Sequence, residues 1–155
     1  MHGGLFHVMK RFAFLLLFAA VARAADAPAN VVKYRQSVMK AMGAHMTAMS
    51  LVVKKQVGDR SQLAAHASAI RDCATNLAAF FPRETAPDKT RTAAKAEIWQ
   101  RMPEFRAAAE RLRVESEKLA AAAKRGDMRA FDAQFANVGA ACGKCHDSFR
   151  VKDSD

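Results

Sequence analysis

Apolar residues recur along most of the chain at three- and four-residue intervals, and the alternation of a half-buried strand is absent. Val32, Met39, Met42, Met46, Met49 and Val53 mark one face of a helix predicted over 29–55. It is entered through "APAN", with Asn30 as N-cap, and ends near "QVGD" (56–59). A second helix starts after Asp59 or Ser61, carries Leu63, Ile70, Cys73, Leu77 and Phe80 on one side, and stops at Pro82. "PRETAPDKTRTAAK" (82–95) is the long polar connection. A third helix runs from about 96 to the "KRGD" turn (124–127), with Pro103 tolerated in an early turn or beside a short break. The last takes Asp127 as its cap and runs through Met128, Phe131, Phe135, Val138 and Cys142 to Phe149. Two short turns and one longer crossover predict an all-α fold, an antiparallel four-helix bundle, with no internal repeat.

Composition agrees: glycine (7) and proline (4) are scarce among 155 residues, and that length bounds the chain to one domain with a real core. The first 24 residues read differently. Lys10 and Arg11, then "FAFLLLFAAV" (12–21) and "ARA" (22–24), have the three parts of a signal peptide, which predicts export and a mature domain over 25–155. "MKRFAFLLL" would make a tighter leader, so Met9 is an alternative start. The apolar run is too short for the roughly 20 residues of a membrane span, and no other segment offers one. Cleavage would remove three of 25 basic residues and leave 22 against 15 acidic ones. The excess is interleaved with acids, as in "ERLRVESEK" (110–118), which fits solvated helix faces or an acidic redox partner. No basic stripe with aromatic platforms marks a nucleic-acid surface.

The chemistry is concentrated in "ACGKCHDSFR" (141–150). Cys142, Cys145 and His146 are spaced so that a continuing helix projects all three from neighbouring sectors of one face. Two thiols there can add to the two vinyl groups of a haem while the imidazole reaches the iron, and C-x-x-C-H is the attachment signature of c-type haem. A structural zinc site would need a second ligand pair, but the mature chain otherwise offers only Cys73, His45 and His66, at no paired spacing. A thioredoxin-like dithiol would need a βαβ setting.

Together with the leader, "VVKYRQSVMKAMGAHM" (31–46), "AEIW" (96–99) and "GAACGKCHDSFR" (139–150) resemble the class II c-type cytochromes, the cytochrome c′ and cytochrome c-556 group, over residues 29–152. The placement of C-x-x-C-H at the end of the last helix is typical of that group. The resemblance implies a periplasmic bundle with haem near one end and His146 as proximal ligand.

It also makes Met39 the deciding residue. In the c′ branch the residue four after the first-helix arginine is commonly an apolar non-ligand; here it is Met39, and in the c-556 branch that methionine binds iron. By spacing alone Met39 belongs to a stripe with Met42, Met46 and Met49 that would serve as adaptable core. With Met39 at the iron, Arg35, one turn earlier, would meet a haem propionate; otherwise it would be a solvated surface arginine. His45 is turned about 240° round the helix from Met39, so both cannot face one haem. His66 reads as exposed or capping, and Cys73 as a small buried hydrophobe or an intermolecular thiol. Trp99 is expected beside the haem edge or in the core, Phe149 against His146, and Arg150 as a cation near the proximal side or at the helix end. No nucleophile–base pair, carboxylate pair or phosphate loop indicates an enzyme. The expected function is periplasmic electron transfer by haem c with His146 and Met39 as axial ligands, in a monomer or homodimer. The alternatives are a five-coordinate protein binding NO or CO, and a metal-free helical module.

Overall fold

The computed structural model describes residues 26–152, so the expected leader and the choice between Met1 and Met9 lie outside them. Five α-helices follow in order: α1 (Pro28–Val53), α2 (Leu63–Ala74), α3 (Glu97–Gln100), α4 (Met102–Arg125) and α5 (Met128–Phe149). Helix α3 and α4 together fill the place of the expected third helix, and the architecture is the four-helix bundle that the periodicity predicts. α4 packs along α5 and α2, and α1 packs on α2.

Local chemistry explains the boundaries. Helix α1 starts one residue earlier than expected, at Pro28, whose missing N–H costs nothing in a first turn. Asn30 therefore lies inside that turn, and the N-cap is Ala27, without a side-chain cap. Helix α2 stops at Ala74 rather than continuing to Pro82, because Asn76 takes the left-handed conformation (φ 56°) that asparagine tolerates better than most residues. A 3-10 turn, Leu77–Phe80, follows and re-aims the chain. The third helix breaks at Arg101, which lets Pro103 fall at the start of α4. Gly126 (φ 69°) closes α4, and Asp127 caps α5 as expected, accepting from the Ala130 N–H at 3.0 Å.

The core has two parts. A larger cluster runs between α1, α2, α4 and α5, with Met49, Ala67, Leu119, Phe131 and Val138 sealed from solvent. A smaller one gathers Phe81, Ile98, Phe105 and Phe149, whose rings meet edge to face: Phe81 and Phe105 at 4.7 Å, Phe105 and Phe149 at 5.3 Å. Met39 packs against both clusters. The chain end is pinned over the smaller cluster by a short antiparallel bridge, in which Lys95 N–H donates to Phe149 O (2.9 Å) and Val151 N–H to Ala93 O (2.8 Å). Among the described residues no helix is long and apolar enough to cross a membrane.

Candidate functional site

Cys142, Cys145 and His146 all lie on α5, in its last two turns, because the helix continues unbroken through the motif to Phe149. The three stand where the two clusters meet. Cys142 packs against the larger and Cys145 against the smaller. Both thiols are half-buried, and burial, ahead of the charge of its partner cysteine, pushes Cys145 up to about 11. Burial also raises Cys142. For His146 burial, and then the Arg150 cation, lower the pKa against the opposing pull of Asp147. The imidazole is thereby favoured in the neutral form that ligates metal.

Next to the motif, a cleft of about 550 Å³ opens between α5 and α1. Cys145, His146 and Phe149 form one wall, and Arg35, Met39 and Gly43 stand on the α1 wall, with Phe81, Ile98 and Phe105 at its apolar base. Gly43, one turn beyond Met39, leaves that wall recessed: a Cβ there would meet no atom within 4 Å. An apolar slot with a few fixed polar groups, the Cys145 thiol on its wall with Cys142 one helical turn before it, and soft and imidazole donors on its two sides suits a flat, largely apolar metallocycle.

Arg35 is the buried cation of the cleft wall. It is 2% exposed, not the solvated surface arginine that is the alternative from sequence. Its Nη1 donates to Thr85 Oγ1 (2.6 Å) and Phe80 O (3.3 Å), its Nη2 to Thr92 Oγ1 (2.8 Å) and Thr85 O (3.2 Å). The guanidinium also lies 4.5 Å from the Phe81 ring centroid. All these partners are neutral, and burial draws its pKa down to about 10, so at neutral pH it remains a cation. Among the described residues no carboxylate pairs with it. Arg35 thus sets a hydrogen-bonded positive charge on the cleft wall without a carboxylate against it.

Arg35 is at the same time a strut. It ties α1 to the 80–92 connection, so Arg35→Ala should cost about 2–3 kcal/mol of stability in thermal or denaturant unfolding followed by far-UV circular dichroism. Unchanged stability would show that the connection is held by other contacts.

Other expected residues fall elsewhere. Trp99 does not line the cleft. Its Nε1–H donates to Phe81 O (3.0 Å) and Pro82 O (3.1 Å), and its ring lies 6.3 Å from that of Phe81, so it buttresses a wall residue from behind. Phe149 is buried and lines the cleft beside His146, as expected. Arg150 also lines it, where α5 ends. His45 and His66 are outside the cleft, but His66 is neither exposed nor capping: it is half-buried against His45. Cys73 packs at the margin of the larger cluster, and burial raises its pKa. The sequence reading misses Phe81, Ile98, Phe105 and the Thr92–Ala94 segment as cleft residues.

A family model described as Cytochrome C′ matches residues 30–150. The chain is 37% identical over 148 residues to a cytochrome c′ of Rhodospirillum rubrum, covering 92% of this chain and 99% of that protein. It is 29% identical to a cytochrome c-556 of Agrobacterium tumefaciens (strain II Chrys), covering 80% and 99%. Among solved structures, the nitric oxide complex of a mutant cytochrome c prime from Alcaligenes xylosoxidans superposes with a TM-score of 0.76 at 33% identity, covering 83% of this chain and 99% of that one.

Proposed function

Since the chain belongs to the cytochrome c′ family and takes covalently attached haem c as its cofactor, we propose that it is a periplasmic electron carrier with His146 and Met39 as axial ligands. The observation that carries this reading is the cleft itself, with His146 on one wall and the Met39 side chain on the other. The haem supplies a one-electron ferric–ferrous couple.

The chain's own residues do the rest. Cys142 and Cys145 would hold the macrocycle through two thioethers, at the junction of the two core clusters. His146, whose pKa burial lowers, would offer its imidazole. Met39 offers a thioether, a soft donor that favours the reduced metal and raises the potential relative to harder ligands. Phe81, Phe105 and Phe149 exclude water from the cleft base. Arg35 sets a positive charge against the expected propionate, and the guanidinium is held in place by Thr85 and Thr92. With His146 and Met39 both holding the iron, substrate would have no open position there, which favours a carrier over an enzyme. The excess of basic side chains fits an acidic redox partner.

A second reading keeps the same haem and leaves Met39 as packing, with a five-coordinate iron that binds NO or CO. It is favoured by the solved relative that is itself a nitric oxide complex. Carbon monoxide separates the two readings. The reduced protein should take up the gas slowly and only after its sixth ligand lets go, with a rate that levels off as the gas concentration rises. Fast uptake that stays linear in concentration would sink the saturated-carrier reading and favour the gas-binding one.

A further inference from the structure

Away from the cleft, the packing of α1 on α2 brings together two histidines that the haem reading leaves unused. The Nδ1 atoms of His45 and His66 are 2.9 Å apart, with ring centroids at 5.1 Å and planes inclined at 49°, and both side chains are half-buried. Two neutral imidazoles at this separation share one proton, one Nδ1 donating and the other accepting. These nitrogens are also the atoms that histidine offers to transition metals.

We propose that His45 and His66 form a binding site for a divalent copper-class ion, held by both Nδ1 atoms as neighbouring ligands of a tetragonal centre, with water in the remaining positions. The tetragonal geometry follows from the preference of Cu²⁺. With metal–nitrogen bonds of about 2.0–2.1 Å, two ligands at a right angle set their nitrogens roughly 2.9 Å apart, whereas a tetrahedral pair sets them roughly 3.3 Å apart. The observed 2.9 Å is the separation of a hydrogen-bonded imidazole pair, close enough for both Nδ1 atoms to reach one ion by ring rotation, and the choice of ion rests on affinity. Imidazole is a good donor for all three ions, and at a given site affinity for copper is intrinsically the highest.

Loading requires rotation of the two rings and leaves the helices in place. The donor ring shifts its proton from Nδ1 to Nε2, a change of tautomer with no net release of protons, and both rings turn until their lone pairs converge on the ion. The helices already hold the rings side by side, so the second imidazole binds as an intramolecular ligand. Among the described residues no third histidine, cysteine or carboxylate joins the pair. The ion would therefore keep exchangeable positions open to solvent, unlike a closed structural site. Beyond the leader, His146 is the one other histidine of the chain, and the haem occupies it.

The test is calorimetric titration of the haem-loaded mature protein with Cu²⁺, alongside H45Q, H66Q and the double variant. The wild type should take up one equivalent, and either single substitution should weaken binding by roughly 10²-fold, the contribution of an intramolecular second ligand. The Soret and far-UV spectra, which a lost fold or haem would change, should match those of the wild type. Zn²⁺ should bind more weakly than Cu²⁺. The proposal is overturned if the wild type takes up no equivalent, or if a single variant binds copper as the wild type does. Zinc binding as tightly as copper would overturn the tetragonal assignment.

Discussion

Replacing Cys142 and Cys145 together by serine should yield an exported chain with polypeptide mass alone and no haem that survives acid organic solvent. The substitution removes both nucleophilic sulfurs while changing each side chain by a single atom, so the helix itself should persist: serine is tolerated in α5, and neither position is fully buried. What is lost is the ligand's contribution to the folded state, since whatever binds only the native fold stabilises it. Unfolding should therefore move to lower temperature, and the loss should concentrate at the cleft end, where Phe81, Phe105 and Phe149 would face an unfilled slot. Either single substitution should leave haem on one thioether. Intact-mass spectrometry before and after acid–acetone extraction reads the result. Haem retained covalently by the double variant would mean that attachment lies elsewhere in the chain.

The second large effect is on Met39. Met39→Leu keeps volume and apolarity, so the fold should lose less than about 1.5 kcal/mol. Met39 packs against both core clusters, and leucine preserves most of that contact. Only the sulfur is lost. The ferric haem should pass from six-coordinate low-spin to five-coordinate high-spin, and the ferrous form should open to carbon monoxide. If the open state is between roughly 0.1 and 10% populated in the wild type, affinity for the gas should rise by roughly 10- to 10³-fold. Gas affinity and spin state unchanged by the substitution would leave Met39 as core packing.

How far the sequence reaches is clear from particular residues. The helices were readable because each buries one stripe at helical spacing, and Asp127 with Gly126 marks the α4–α5 turn by cap chemistry that acts within a few residues. The C-x-x-C-H motif was readable because its three groups fall on one helix. Arg35 was only half readable: its position on α1 is local, but its acceptors Thr85 and Thr92 come from a polar connection 50 and 57 residues away that has no periodicity to place it. His66 was misread for the same reason, since its partner lies 21 residues back on another helix. The early end of α2 turned on Asn76 taking a left-handed conformation, a choice that lets Leu77 stay in the core while Phe81 joins the smaller cluster. Trp99 shows the limit from the other side. The resemblance places it beside the haem edge or in the core, and it packs on the smaller cluster with its indole N–H donating to carbonyls at Phe81 and Pro82.

Everything distinctive in the functional reading meets at the sixth coordination position of the wild-type iron, so the most direct measurement is the electron paramagnetic resonance spectrum of the oxidised protein at neutral pH, recorded with its near-infrared absorption. A carrier ligated by His146 and Met39 predicts a low-spin ferric signal together with the weak near-infrared charge-transfer band of thioether ligation, and Met39→Leu should abolish both. A wild-type spectrum that is already high-spin and lacks that band would contradict the account.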